Sequence, residues 1–176
     1  MSDGKILAFY APYTGAGKSA AARILDGNES IIISFASPLY YCAGNLMPTL
    51  SSEDDKNKPR DEFGGKSLCE FLIYLGQAGR AFYADIWSKK MRRSINFFKP
   101  DLNIIIDDLR FCNEYAMLRE EGAKIVRITN PGRYIIKTEP EALLEDYEFD
   151  YQLINYKRGL EEYRTQLAEM MRELWP

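Results

Sequence analysis

Apolar residues along the chain fall into short β-branched runs that alternate with longer stretches of helical spacing. Lys5–Tyr10 (KILAFY) reads as a buried parallel strand. Gly17–Leu25 is Ala-rich and closes on Asp26-Gly27, which predicts a helix ended by a turn. Ser30–Phe35 (SIIISF) is a second strand, and Ser37-Pro38 opens a helix through about Met47. Pro48–Lys66 is polar and reads as a loop. Two helices are expected next, Ser67–Gln77 and Arg80–Phe98. On the second, Phe82, Ile86, Met91, Ile95 and Phe98 recur near helical spacing. Leu102–Ile106 and Lys124–Thr129 read as the third and fourth strands, around a helix at about Asn113–Glu121. Asn130-Pro131-Gly132 is a turn, and Glu141–Asp146 has room for one or two helical turns. Tyr151–Ile154 is a last short strand. Gly159–Leu174 is an amphipathic helix with Leu160, Tyr163, Leu167, Met170, Met171 and Leu174 on one face. No internal repeat is visible.

Strands that alternate with helices imply an α/β fold, a parallel sheet covered on both faces. Such sheets bind ligands at the carboxyl ends of their strands. Chemistry is therefore expected in the loops after Tyr10, Phe35, Ile106, Thr129 and Ile154.

Composition narrows the classes. The chain has 176 residues, which suits a single domain. Lys plus Arg is 23 and Asp plus Glu is 26, a net charge of −3 that argues against bulk electrostatic binding to nucleic acid or to an anionic membrane. There is no histidine, which excludes Ser-His-Asp and Cys-His catalysis and any His-ligated zinc or haem. Cys42, Cys69 and Cys112 are widely spaced and read as reduced, mostly buried thiols of a cytoplasmic protein. No apolar run approaches the roughly 18 residues that cross a bilayer, and Met1–Lys5 leads straight into the first strand.

The loop after Tyr10 reads Pro12-Tyr13-Thr14-Gly15-Ala16-Gly17-Lys18-Ser19. It matches the phosphate-binding pattern G-x-x-x-x-G-K-[ST] except at its first position, which is Pro12. Gly15 and Gly17 let successive N–H groups converge on one anion, the following helix adds its positive end, and Lys18 reaches the β/γ-phosphates. Ser19 is placed to ligate Mg²⁺. Without its sequence context the same stretch would be a glycine-rich turn. Because G-K-S sits where a strand ends and a helix begins, a nucleotide site over Thr14, Gly15, Ala16, Gly17, Lys18 and Ser19 is expected. Pro12 supplies no N–H, and the cradle depends mainly on residues 14–19.

A second site is Leu102–Arg110 (LNIIIDDLR). An apolar strand ending in carboxylate is where a phosphate-loop enzyme holds Mg²⁺, so Asp107 or Asp108 is a metal candidate, with a helix-capping acid as the plainer reading. Arg110 is placed to contact transferring phosphoryl oxygens, or to form a surface ion pair. Gly76-Gln77-Ala78-Gly79-Arg80 breaks two helical segments. It is either an interhelix turn or a close approach of backbone to ligand, with Arg80 clamping a phosphate. The segment 130–150 carries Arg133 and Lys137 and reads either as a lid that supplies cations or as a surface excursion. Lys89-Lys90-Met91-Arg92-Arg93 reads as a solvated helix face. Tyr40, Tyr41, Phe71, Tyr74, Phe82, Tyr83 and Trp87 are dense enough to stack a base, though most are expected in the core.

With these residues laid out, the chain resembles the phage-type deoxynucleoside monophosphate kinases over nearly its full length. The resemblance rests on TGAGKS, on FASPLY (similar to F-A-D-P-L-K) and on LGQAGR (similar to L-G-T-x-x-G-R). Its most specific element, IIIDDLRFCNEYAMLREEGAKIVRI, looks like the family's D-x-R-F-x-N-E followed by a helix, glycine and strand. The tail TEPEALLEDYEFDYQLIN is similar to S-E-x-x-L-x-x-Y-x-F-D-x-x-I-x-N. More distantly, animal phosphomevalonate kinase shares a phosphate loop and an S-D-x-R element.

The resemblance implies a three-layer α/β/α sandwich of the P-loop nucleoside monophosphate kinase type. It implies transfer of the γ-phosphoryl of ATP, with Mg²⁺, to a dNMP, giving ADP and dNDP. Lys18, Asp108 and Arg110 then carry catalysis, and Ser19 and Asp108 or Asp107 the metal. Arg133 and Asn155 join the phosphate loop on the ATP side. Ser37, Tyr41, Arg80 and Trp87 belong to an acceptor-binding helical region over about 37–98. Cys69, Ser37 and Gln77 depart from the family pattern on the acceptor side, so the accepted base stays open. The partners implied are small-molecule nucleotides, with no nucleic acid and no membrane, in the host cytoplasm if the source is a phage; a homodimer is admissible. The alternatives are a phosphomevalonate kinase-like enzyme and a nucleotide-binding module without turnover.

Overall fold

The computed structural model describes residues 4–46, 56–131, 143–156 and 159–176. The chain divides into two compact units, Met1–Ser34 with Met91–Pro176, and Phe35–Lys90.

The first unit is built on five parallel strands in the order β2-β5-β1-β6-β7. These are β1 (Ile6–Tyr10), β2 (Ser30–Ile33), β5 (Asn103–Leu109), β6 (Lys124–Thr129) and β7 (Tyr151–Ile154). All five residues of β1 are buried, as expected of a central parallel strand covered on both faces. Leu7 and Phe9 of β1, Ile105 of β5 and Val126 and Ile128 of β6 form one core. It also takes Ala21 and Ala22 of α1 (Lys18–Leu25) and Tyr163, Leu167, Met170 and Leu174 of α6 (Leu160–Leu174). Residues of the other parity include Tyr10, which is fully buried and stacks on Phe149 with ring centroids 5.2 Å apart. Within α6, Leu160 is exposed, so the expected apolar face begins only at Tyr163.

Strand β5 runs three residues further than its apolar run. Ala8 pairs with Ile106 but Tyr10 pairs with Leu109, so Asp107 and Asp108 together oppose Phe9 in a β-bulge. The two acids therefore belong to the strand and not to the loop after it. After β5, the helix α5 (Cys112–Glu120) is started by Glu114. That buried carboxylate accepts the N–H groups of Arg110 and Phe111 at 3.0 and 3.1 Å.

Asp150 ties β6, α5 and the approach to β7 together. Its carboxylate accepts the Ile125 N–H at 2.8 Å and pairs with Arg119 and Lys124. Burial alone would raise its pKa, but the Ile125 N–H and the two cations outweigh burial and hold it below the ordinary aspartate value. A depressed folded-state pKa contributes stability above the unfolded value of about 3.9, which is lost as pH falls through the folded value. Asp150→Asn should lower the thermal midpoint at pH 7 and flatten its decline below about pH 4. An acid limb as steep as that of the unmodified chain would remove Asp150 from that role.

The second unit contains α2 (Ser37–Leu46), the antiparallel pair β3 (Pro59–Arg60) and β4 (Lys66–Ser67), α3 (Leu68–Phe82) and the first turn of α4 (Ile86–Phe98). The hairpin corrects the expectation of an unbroken loop. Gly64 and Gly65 turn it with φ of 61° and 83°. Its core is Ala43, Leu68 and Leu72 with Leu39, Phe63 and Phe71 packed against them. Ser67 and Glu70 form a capping box at the start of α3.

The glycine segment Gly76–Arg80 does not break the helix, contrary to the sequence expectation. It lies inside α3, and the break falls after Phe82 instead. The reason is Trp87. Its Nε1 donates to Gly76 O at 3.0 Å, and a Cβ on Gly79 would stand 2.4 Å from the indole Cζ2. Glycine there costs helix propensity of about 1 kcal/mol per site and allows the ring to lie against the backbone.

The cysteines also depart from expectation: Cys42 is exposed, and Cys69 and Cys112 are only half-buried. The aromatics depart further. Tyr40, Tyr41, Tyr74, Phe82 and Tyr83 are exposed, Phe82 at 89%. No helix among the described residues is long and apolar enough to cross a membrane.

Candidate nucleotide site

The carboxyl edge of the large sheet brings together most of the residues singled out in the first unit. The loop from Ala11 to Gly17 leaves the central strand, and α1 starts at Lys18. Gly15 and Gly17 take φ of 79° and 114°, left-handed values that a side chain resists. Gly17 caps α1 without any side-chain bond, and no acid stands in the first turn. The positive end of the helix thus faces the loop with no protein carboxylate of its own turn to neutralise it.

The loop is braced from the ends of β6 and β7 and from α6. Tyr13 donates its hydroxyl to Asn130 O at 2.8 Å and accepts the Asn130 N–H. The Asn155 side chain donates from Nδ2 to Ala16 O at 3.0 Å, and Tyr163 donates its hydroxyl to Gly17 O at 3.2 Å. Asn155 follows β7 directly and is itself pinned by its N–H to Thr129 O at 2.8 Å. Asn155 and Ala16 are buried, so this contact lies behind the loop. A Cβ on Gly17 would approach Asn155 Nδ2 to 2.5 Å, which requires glycine at that position.

Thr14, Gly15 and Ser19 are exposed, and Gly17 and Lys18 half-buried, around the fully buried Ala16. Asp107 and Asp108 are half-buried on β5, the strand paired with β1, and neighbouring strands lie about 4.8 Å apart. Arg110 follows β5 immediately, its backbone fixed by Glu114. The oxygen donors of this edge are the Ser19 hydroxyl and the Asp107 and Asp108 carboxylates. No group of three or more acids or cysteines that would cage a metal occurs among the described residues. A few hard oxygens without a full cage fit Mg²⁺, which keeps water and substrate phosphate in its shell.

Ser37, Tyr41, Arg80 and Trp87 belong to the second unit. Ser37 opens α2 and is exposed, and Tyr41 is 74% exposed. Arg80 lies on α3 with its guanidinium beside Gly76, and the Trp87 ring is committed to the backbone of α3. Arg133 and Lys137 lie outside the described residues, as does most of the segment 130–150. Lys89, Lys90 and Arg93 are exposed as a solvated face would be, while Arg92 pairs with Glu120 and Glu121 and Met91 is buried.

The sequence pattern did not single out Tyr13, Asn130 and Tyr163 as parts of the site. Tyr163 sits at a core position of an amphipathic helix, where nothing marks its hydroxyl as bonded to a loop 146 residues earlier. Glu114 lies within the D-x-R-F-x-N-E element, but Phe111 three residues earlier has no side-chain acceptor, so the sequence carries no capping-box signature there.

No protein-family model matches the chain. It is 27% identical over 173 residues to a protein of Acanthamoeba polyphaga mimivirus named "putative deoxynucleotide monophosphate kinase", covering 87% of this chain and 89% of that protein. Among solved structures, the APS kinase CysC of Mycobacterium tuberculosis superposes with a TM-score of 0.52 at 13% identity, covering 98% of this chain and 99% of that one. The tunicamycin resistance protein of Deinococcus radiodurans superposes with a TM-score of 0.50 at 13% identity, covering 96% and 95%. The chain has the fold of P-loop kinases, a central parallel sheet flanked by helices, and the resemblance to deoxynucleotide monophosphate kinases extends to a curated relative.

Proposed function

We propose that the chain is a deoxynucleoside monophosphate kinase that transfers the γ-phosphoryl of ATP to a dNMP. The observation that carries the reading is the loop from Thr14 to Ser19. Its two glycines hold left-handed conformations at the end of the central strand, and two carboxylates stand at the end of the paired strand. The resemblance to the mimivirus protein, over 87% of this chain and 89% of that one, supports the choice of acceptor.

In this reading the loop N–H groups and Lys18 hold the β- and γ-phosphates. Ser19 with Asp108 or Asp107 would hold Mg²⁺, which neutralises phosphate charge when bound. An oxygen of the acceptor phosphate attacks the γ-phosphorus, the bond to the β–γ bridging oxygen breaks, and ADP leaves with that electron pair. The acceptor oxygen is already anionic, so positioning dominates and no protein base is needed. Arg110 stabilises the transferring phosphoryl, and Arg133 adds a cation on the ATP side. Asn155, carried over as an ATP-side residue, supports the loop from behind. Acceptor recognition falls to Ser37, Tyr41 and Arg80. With the Trp87 ring committed to α3, Tyr41 is the better aromatic for stacking a base, an interaction worth about 1–3 kcal/mol.

The test is release of ADP from ATP and Mg²⁺ in the presence of each dNMP, each NMP and phosphomevalonate. Turnover with at least one dNMP, exceeding that with phosphomevalonate by about a hundredfold or more in kcat/KM, is expected, as a site built to pair a substrate's polar groups rejects one that lacks them. Efficient turnover of phosphomevalonate with every dNMP ignored would overturn the acceptor. ATP binding without ADP release on any acceptor would make the chain a nucleotide-binding module.

A further inference from the structure

We infer that Asn155 and Tyr163 are positioning residues for the phosphate loop, which from behind fix the aim of the Gly17 and Lys18 N–H groups toward a bound phosphate; this rests on the nucleotide reading above. In a trans peptide the carbonyl and the N–H of one plane point in opposite directions. The described residues contain no cis bond. The Ala16 carbonyl is held by Asn155 Nδ2 at 3.0 Å, so the Gly17 N–H in the same plane is turned to the opposite side. The Gly17 carbonyl is held by the Tyr163 hydroxyl at 3.2 Å and by the Ala21 N–H at 2.9 Å, so the Lys18 N–H is likewise turned away from them. These two N–H groups are among the donors such a loop offers an anion.

The two braces are rigid for separate reasons. Asn155 is anchored through its own N–H to Thr129 at the end of β6. Tyr163 is 6% exposed in the core between α1 and α6, and burial pushes its phenol well above the ordinary tyrosine value, so it remains a donor at neutral pH and above. Fit is tight as well: a Cβ on Gly17 would stand 2.5 Å from Asn155 Nδ2 and 3.1 Å from the Tyr163 oxygen. The buried Ala16 carbonyl, deprived of its donor, favours rotation of its plane toward water, which withdraws the Gly17 N–H from the anion, whereas the Gly17 carbonyl keeps the Ala21 N–H and its plane turns less.

Calorimetric titration with inorganic triphosphate and with ATP, both with Mg²⁺, tests this without requiring turnover. Tyr163→Phe keeps the ring and removes one donor, and affinity for both ligands should fall about fivefold. Asn155→Asp keeps the shape, removes the donor and places a charge behind the anion, and affinity should fall about twentyfold or more. In turnover, KM for ATP should rise while KM for the acceptor stays unchanged, a split that general loss of stability does not produce. Tyr115→Phe is the control. It removes another hydroxyl bond of the same unit, to Glu148 O, and should lower the thermal midpoint without changing triphosphate affinity. Should Asn155→Asp fail to fold, Tyr163→Phe decides alone. Wild-type triphosphate affinity in the folded variants would overturn the inference and leave the nucleotide reading standing. An unmodified chain that binds neither triphosphate nor ATP would overturn both.

Discussion

Lys18→Ala is expected to lower kcat by about a hundredfold to a thousandfold while the chain stays folded. Lys18 is the first residue of α1 and is half-buried at the carboxyl edge of the sheet, so its ammonium adds to the positive end of the helix. In a loose transition state negative charge accumulates on the departing γ-phosphoryl and on the bridging oxygen. A cation fixed there stabilises the transition state more than the bound substrate. Removing one such preorganised group costs about 3–4 kcal/mol, or two to three decades of rate at about 1.4 kcal/mol each. The loss should fall mainly on kcat, with a smaller rise in KM for ATP, because the loop N–H groups remain. Stability should change little, because Lys18 is only half-buried and is not one of the core residues. Single-turnover rates with saturating ATP measure the effect. A rate within tenfold of the unmodified chain would mean that this loop does not hold the transferring group.

Gly17→Ala is expected to destabilise the chain by about 3 kcal/mol and to abolish measurable ATP binding. The backbone at this residue has φ 114° and ψ 9°, a conformation that costs a side-chain-bearing residue about 1–3 kcal/mol. The added Cβ would also meet Asn155 Nδ2 at 2.5 Å and the Tyr163 oxygen at 3.1 Å. Asn155 is anchored through its backbone, so relief of the clash breaks its bond to Ala16 O, a further cost of about 1 kcal/mol. For a chain of this length the sum corresponds to a fall in Tm of about 6–12 °C. Gly27→Ala provides the contrast. A Cβ there meets nothing within 4 Å, and Tm should move by no more than a degree or two. Equal thermal midpoints for the two variants would show that the loop adapts, and the rigidity argued for Gly17 would fail.

The central strand β1 was legible because a parallel strand buried on both faces must be apolar along its whole length. SIIISF and KIVRIT were legible as β-branched runs, although β2 is half-buried throughout and β6 carries half-buried Lys124, Arg127 and Thr129. The phosphate loop was legible because its glycines, lysine and serine are required locally, within eight residues. What was missed depends on contacts distant in sequence. The bulge at Asp107-Asp108 arises from how β5 registers against β1, and no local pattern encodes it. Gly76 and Gly79 have the composition of a turn, yet they sit in a helix because Trp87 packs on them. Tyr163 has the spacing of a core residue, which it is, and its hydroxyl serves the loop in addition. The aromatics of the second unit were expected inside because large rings usually are. The small core of Ala43, Leu68 and Leu72 leaves most of them at the surface.

The place of β1 in the sheet also sets an order of events during synthesis. Its partners are β5, which begins at Asn103, and β6, which begins at Lys124. At a ribosomal rate of about 5–20 residues per second, the interval between making Tyr10 and making Asn103 is about 5–20 s. Throughout it the most apolar strand of the protein has no neighbour to pair with, and β2, made soon after, is equally without its partner β5. The nascent chain thus carries two unpaired hydrophobic strands until more than half of it has emerged. A trigger-type holding chaperone that covers Ile6–Tyr10 and Ser30–Ile33 during that interval should raise the yield of active protein, and slow translation should lower it when the chaperone is absent.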